Sequence, residues 1–394
     1  MSRRRLALCF ALTLSAANAA LAEPYFAVRE GQKCSACHVN MTGGGMRTSF
    51  VAAHAKEILG YPNWWQPLTK PADSFTGEIN QYLAIGGDLR VDATGIMQDQ
   101  PKNGRVNNNK AFRSRLEEFD ISVNEAVSYF EVRLIPDVLT FYLDARWSPS
   151  VDTREVWAMI NLPWDVYLKG GEMFLPYGLQ IQDDTAFIRG GRNGSATTGF
   201  SFNVNQPAFE IGWEPGPLSV AGAVSQGGPN DRDVQVTGTV YTLFTDLPVV
   251  RNVLAGLSGS RVAPSGQETS QLGFFAGFTV GPFTYLGEVD FGHFEFTDPT
   301  TSRKEDAGTF IHYSEGNYLI LPWLNFKVAF DYADYAGMLP REGQSNAENR
   351  FSVGFEPFLA RFLQMRFFYR VSNGIASNAS HNQGLWIGEL HVFF

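Results

Sequence analysis

Cysteine is almost missing from this chain, with three in 394 residues. Long apolar runs are missing too: past the first two dozen residues no stretch approaches the roughly 20 apolar residues that a membrane-spanning helix requires. Charge is sparse at 18% of residues, and acids outnumber bases 40 to 31, for a formal net charge of −9. The shortage of thiols excludes a scaffold stapled by disulfides. The lack of apolar runs excludes a helical membrane protein. The acidic balance argues against nucleic acid as a partner and favours cationic or metal partners.

What is abundant points to β structure. Aromatic residues make up 14% of the chain, with 32 phenylalanines and 39 glycines, while the mean hydropathy is mildly polar. That mixture suits strands with one apolar and one polar face. From about Ile79 onward the sequence alternates with period two, in runs of roughly ten residues. Thr140, Tyr142, Asp144 and Arg146 share one face, opposite Leu139, Phe141, Leu143, Ala145 and Trp147. Asn325, Lys327 and Asp331 likewise oppose Leu324, Phe326, Val328, Phe330 and Tyr332, and Gln364, Arg366 and Arg370 oppose Leu363, Met365, Phe367 and Tyr369. The polar sets are too charged to meet a second sheet, so one face is expected to meet lipid and the other water.

Turn chemistry alternates in length as a barrel demands. Short turns are read at Ile135-Pro136-Asp137, Leu162-Pro163-Trp164, Glu214-Pro215-Gly216-Pro217, Gly281-Pro282, Leu321-Pro322-Trp323 and Glu356-Pro357. Longer polar segments lie between them, among them 92–110, 176–206, 335–347 and 372–383. Pairing these predicts a transmembrane antiparallel β-barrel of about 16 strands over 76–394, in the all-β class. Residues 111–135 read as one long strand, bulged, unless Asn124-Glu125-Ala126 turns the chain. The final strand closes on an aromatic, Phe394, with Trp386, Leu390 and Val392 on one face. This is the kind of ending that bacterial barrel assembly reads.

The N-terminal 75 residues obey different rules. Arg3, Arg4 and Arg5 precede an apolar run from Leu6 to Leu14 and small residues ending at Ala22, so 1–22 read as a signal peptide. Its loss takes the charge from −9 to −12, because three arginines and no acids leave with it. Cys9 leaves too. The two remaining thiols fall together in Cys34-Ser35-Ala36-Cys37-His38, the spacing that bonds haem c through both vinyl groups while the histidine ligates its iron. A redox-active disulfide and half of a zinc site are the competing readings. No βαβ pattern surrounds the motif, and the next histidine is His54.

Gly43-Gly44-Gly45 follows and allows the backbone to pass close to a flat ring. Met46 to Leu59 shows apolar residues at spacings of three and four, which predicts a helix ending at Gly60-Tyr61-Pro62. Residues 23–75 are too few for a closed cytochrome core, so this small α-helical haem segment should borrow walls from the rest of the chain. For the sixth position on iron, His54 is the first choice, with Met46 and Met41 as alternatives. Glu288, Asp290, Lys327, Asp331, Glu389 and His391 are read as lumen-facing, and His293 and His312 as lying near long loops.

Two resemblances follow from these residues. The run from Gly170-Gly171-Glu172-Met173-Phe174 to Asp183-Asp184-Thr185-Ala186-Phe187-Ile188-Arg189 resembles the strand-and-loop signature of the phosphate-selective porin group, which implies a sixteen-strand barrel over about 78–394. The whole layout resembles the outer-membrane monohaem cytochrome-porin fusions of iron-oxidising bacteria, with Cys34, Cys37 and His38 on their haem motif. That resemblance implies a bacterial outer-membrane electron conduit, with the haem segment on the periplasmic side or in the lumen. Its partners would be extracellular iron(II), a periplasmic cytochrome and membrane lipid. Outward electron transfer and a passive porin with an accessory haem segment are the alternatives.

Overall fold

A computed structural model describes residues 23–51, 62, 64, 67, 75–98, 115–181, 183, 185–189, 200, 205–227, 234–263, 268–297, 304–334, 347–374 and 382–394. The signal-peptide reading and His54 lie outside these residues. Two short helices open the described chain, α1 (Pro24–Glu30) and α2 (Cys34–Cys37). The strands follow: β1 (Glu78–Asn80), β2 (Leu83–Gln98), β3 (Arg115–Ile135), β4 (Leu139–Ser148), β5 (Asp152–Leu162), β6 (Val166–Phe174), β7 (Asn205–Trp213), β8 (Leu218–Gln226), β9 (Val234–Phe244), β10 (Asn252–Ala263), β11 (Thr269–Val280), β12 (Phe283–Thr297), β13 (Lys304–Leu321), β14 (Leu324–Asp334), β15 (Ala347–Ala360), β16 (Leu363–Asn373) and β17 (Gly384–Phe393).

Each strand from β2 to β17 pairs antiparallel with the next, and β17 returns to pair with β2 through Gly384↔Met97 to Phe393↔Asp88. The result is a closed barrel of sixteen strands. The three-residue β1 is an addition, paired with the start of β2. Closure matters energetically, since a ring leaves no row of unpaired edge amides facing lipid. Residues 115–135 form the expected single long strand, and register shifts against β2 and β4 supply the bulges.

Period-two parity decides what each face meets. Thr140, Tyr142, Asp144 and Arg146 are buried inside, whereas Phe141 and Trp147 are 43% and 56% exposed outside. Phe209, Ile211, Phe274, Phe291, Phe351 and Phe367 continue the exposed apolar band. The expected turns are present, with left-handed backbone at Asp137, Trp164, Asp165, Gly216 and Gly281. Glu356-Pro357 is a correction: both lie within β15, Pro357 opposite Leu324, and the turn comes later, at Arg361-Phe362. Proline is tolerated here because the β15–β16 ladder passes from Phe355↔Phe367 to Phe358↔Gln364 and pairs neither Glu356 nor Pro357 with β16. His312 also departs from expectation, sitting in mid-strand on the outward face, with its ring 6.1 Å from that of Phe330.

The inward face does not meet open water. Glu288, Asp290, Lys327, Asp331, Glu389 and His391 do point inward as read, but each is at most 5% exposed. Two stretches of the chain itself lie against them, residues 23–48 and, between 175 and 189, the described residues 175–181, 183 and 185–189. Part of what reads as the outer loop 176–206 therefore folds inside. Its main chain is held by wall side chains: Gly178 N–H donates to Ser258 at 2.7 Å, Leu179 N–H to Glu288 at 2.9 Å and Phe187 N–H to Asp331 at 3.1 Å.

Buried charges are paired across strands. Arg154 donates to both carboxylate oxygens of Asp144 at 3.0 and 2.7 Å and also pairs with Glu125. Lys327 meets Glu356 at 3.0 Å, and Arg366 meets Glu389 at 3.1 Å. Replacing Arg154 with alanine strands two buried carboxylates, so the refolded barrel should lose about 3–5 kcal/mol in a urea titration. Arg146→Ala, whose Asp152 partner is half exposed, should cost less than about 1 kcal/mol.

Candidate functional site: an N-terminal motif seated in the barrel

The site begins with a helix tied to the wall. In α1, Pro24 occupies the first turn, where its missing N–H costs nothing, and Gly31 ends the helix in left-handed backbone. Its last carbonyls, of Val28 and Arg29, accept from Asn252 Nδ2 at 2.8 and 2.9 Å. Tyr25 and Val28 are buried against β10 to β12. Lys33 then reaches Glu214 at 2.8 Å, and the Cys34 N–H donates to the Tyr241 hydroxyl at 3.3 Å.

One helical turn, α2, places Cys34 and Cys37 on the same side, as a spacing of three requires. Both thiols are free. Burial pushes each up to about 11, so both remain protonated at neutral pH. His38 leaves the turn in extended backbone. Its ring is buried, and its Nδ1 has no hydrogen-bond partner among the described residues. Burial, with the Arg47 charge, pushes it down to about 4, against a smaller upward pull from the Gly44 and Gly45 backbone. The imidazole is therefore neutral, with a lone pair to give.

A tight return loop follows. Val39 N–H donates to Met46 O and Thr48 N–H to Cys37 O, both at 3.0 Å, so His38 and Arg47 face each other as an antiparallel bridge. Gly43, Gly44 and Gly45 all have positive φ, at 96°, 80° and 65°, a run that side chains would resist. A Cβ on Gly43 would stand 3.4 Å from Cys34 Cβ and 3.6 Å from its Sγ, and one on Gly45 would overlap the Tyr142 hydroxyl. The glycines thus keep the space beside the first thiol clear and let the loop reach the wall. There Tyr142 accepts from Met46 N–H at 3.0 Å, and Asn40 bonds Glu155 at 3.3 Å and Lys169 at 3.0 Å.

This bridge displaces the start of the expected helix. Residues 49–51 are helical, but Met46 and Arg47 are not, because their backbone is committed to Val39 and His38. The Met46 side chain is buried on the wall among Ala84, Val127 and Tyr129, not at the motif, and Met41 packs at the margin of the same cluster.

Cys34, Cys37 and His38 share one cavity with Glu23, Pro24, Phe26, Ala27, Arg47, Val51, Gln180, Phe358, Gln364 and Phe393. It holds about 90 Å³ and shares Arg47, Val51 and Phe393 with a neighbouring apolar hollow of about 490 Å³. The lining is mostly apolar and comes from the motif, the internal segment and the strands near the short-turn end. Two free thiols, a neutral imidazole with an unpartnered nitrogen and an apolar cleft are groups that fit a covalently bound haem. Sequence reasoning missed Arg47, Gln180, Phe358, Gln364 and Phe393. Inward parity signals Gln364, while nothing local marks Gln180.

The internal segment is clamped by charge. Asp183 accepts from Arg350 at 3.0 Å and Arg370 at 2.6 Å, and although burial works against it, these arginines hold its carboxyl well below the usual range. A carboxylate depressed in the folded state stabilises it fully above the unfolded value of about 4 and loses that contribution as pH falls toward the folded one. Hydrogen exchange of the described amides between 175 and 189, corrected for its pH-dependent intrinsic rate, should therefore be flat from pH 7 to about 4 and accelerate only below. Asp183→Asn should raise it throughout.

No known protein family and no curated protein matches the sequence. Solved structures do. OmpF of Salmonella typhi, in complex with daunomycin, superposes with a TM-score of 0.55 at 12% identity over 79% of this chain and 97% of its own. The anion-selective porin of Comamonas acidovorans gives 0.54 at 10% identity over 79% and 99%. OprB of Pseudomonas putida gives 0.52 at 8% identity over 84% and 97%. At these identities the likeness is one of fold: the chain is a porin-like barrel.

Proposed function

We propose that this chain is an outer-membrane electron conduit, a porin-like barrel whose N-terminal segment carries one covalent haem c. The observation that carries the reading is the pair of free thiols and the neutral His38, whose Nδ1 has no partner among the described residues, gathered in one apolar cavity inside the barrel. Cys34 and Cys37 would each add S–H across a vinyl double bond, sulfur to one carbon and hydrogen to the other, with no net redox change. His38 would donate a nitrogen lone pair to the iron. The bound haem would supply a reversible one-electron couple. The chain's own residues would fix its place: α1 and the glycine loop anchor the motif to the wall, and Phe26, Phe358 and Phe393 exclude water. His54 is proposed for the far side of the iron. Met46 would have to leave its wall cluster to serve there.

The donor we propose is extracellular iron(II) and the acceptor a periplasmic cytochrome, with the short-turn end of the barrel, where the motif lies, facing the periplasm. The same carrier runs outward if its potential is low. A passive porin is the second reading, favoured by the porins among the solved structures of like fold.

Purified protein should carry one haem per chain, attached through thioethers, and Cys37→Ser should halve the thioethers or abolish attachment. Iron(II) should reduce the haem at a potential well above zero. In liposomes the conductance should fall far below that of an open porin. A haem-free parent protein with porin-sized conductance would overturn the conduit.

A further inference from the structure

We propose that Arg47 is the residue that holds a propionate of the haem and sets its electrostatic environment. The inference rests on the haem reading and adds a specific partner to it. Arg47 is the one cation among the described residues lining the cavity of Cys34, Cys37 and His38. Its backbone is fixed against the motif by the bridge to His38 and by Thr48 N–H on Cys37 O. The guanidinium carbon lies 3.9 Å above the ring of Phe393, and the side chain has no hydrogen bond or ion pair to any described residue.

That isolation is unusual in this lumen. Lys33 pairs with Glu214 at 2.8 Å, Arg90 with Asp88 at 3.1 Å, Lys327 with Glu356 at 3.0 Å and Arg366 with Glu389 at 3.1 Å. Of the carboxylates whose charge reaches Arg47, Asp88 is held by Arg90 and by His391 at 2.9 Å, and Glu23 is bonded by Gln364 through one oxygen and lies 3.9 Å from Lys327 through the other. Burial alone disfavours an unpaired guanidinium, and the shift of Arg47 is downward for that reason first.

A haem carries two carboxylates that an apolar cleft cannot accept without a cation or water. Arg47 also lines the neighbouring apolar hollow with Phe75, Phe362 and Phe394. It therefore stands between the cleft and the barrel mouth, where the polar edge of a haem would emerge. A guanidinium is suited to grip a carboxylate through two parallel N–H bonds.

The test uses the full-length, haem-loaded protein in detergent or vesicles, as parent, Arg47→Gln and Arg47→Lys. Haem content and thioether attachment are measured in all three, so that band and potential are compared only between fully loaded proteins. Arg47→Gln should lower the midpoint potential, because a positive charge near the iron favours the reduced state, and should move the propionate-bending band in the resonance Raman spectrum. Arg47→Lys should keep the potential near the parent value while still moving that band, because a bidentate contact becomes single. Unmoved bands in both variants overturn the assignment while leaving the haem reading intact, even if the potential shifts. If Arg47→Gln fails to assemble, the band in Arg47→Lys decides alone. A parent protein without haem removes the haem reading and this assignment together.

Discussion

The structure depends on one constraint, the need to neutralise a charged inner wall within a closed ring. Because side chains alternate across a strand, the same residues that give the barrel its apolar outside put Asp88, Arg90, Glu125, Asp144, Arg154 and Glu389 inside. In a water-filled pore such groups would be solvated. Here each is at most 5% exposed, so each must find a partner among protein atoms or suffer the cost of an uncompensated buried charge. Arg154 between Asp144 and Glu125, and Lys327 beside Glu356, are the local solutions. They work only in one strand register, since a slip of one residue would send every charge to lipid.

The chain's own segments complete that neutralisation. A backbone threaded through a barrel has its own amides and carbonyls to satisfy. The wall supplies the missing partners: Asn252 to the end of α1, Ser258 and Glu288 to residues 178 and 179, Asp331 to Phe187. Each contact settles two needs at once, an inward polar side chain and a main-chain group. This reciprocity explains how so short a segment as 23–51 can be ordered without a core of its own.

Much of this was legible in the sequence. The parity of Thr140, Tyr142, Asp144 and Arg146 named the inner face, and the same rule assigned Gln364, Arg366 and Arg370. The long bulged strand read over 111–135, described over 115–135, and five of six proline turns also stood out. The failures share a cause. Glu356-Pro357 carries turn residues but lies in β15, where the ladder to β16 skips both residues and asks no N–H of the proline. The described residues between 175 and 189 are polar enough for an outer loop, and the wall's hydrogen bonds and ion pairs hold them inside. Met46 sits on a helical stripe, yet its carbonyl and N–H are claimed by Val39 and Tyr142. Of the site, the motif was readable, whereas Arg47 owes its position to a bridge between residues nine apart, which no local pattern announces.

The cavity and the closure of the lumen are therefore not separate properties. The groups that wall in Cys34, Cys37 and His38 are α1, Arg47 and Val51 beyond the return loop, Gln180 of the internal segment, and Phe358, Gln364 and Phe393 of the strands. The first three are the same pieces of chain that lie across the lumen. Moving them aside to open a channel would pull Met46 N–H from Tyr142, Lys33 from Glu214 and Asn40 from Glu155. It would also leave Glu214 and Glu155, both nearly fully buried, without those partners. Passing ions freely and enclosing a cofactor at this motif are thus opposed uses of one set of contacts.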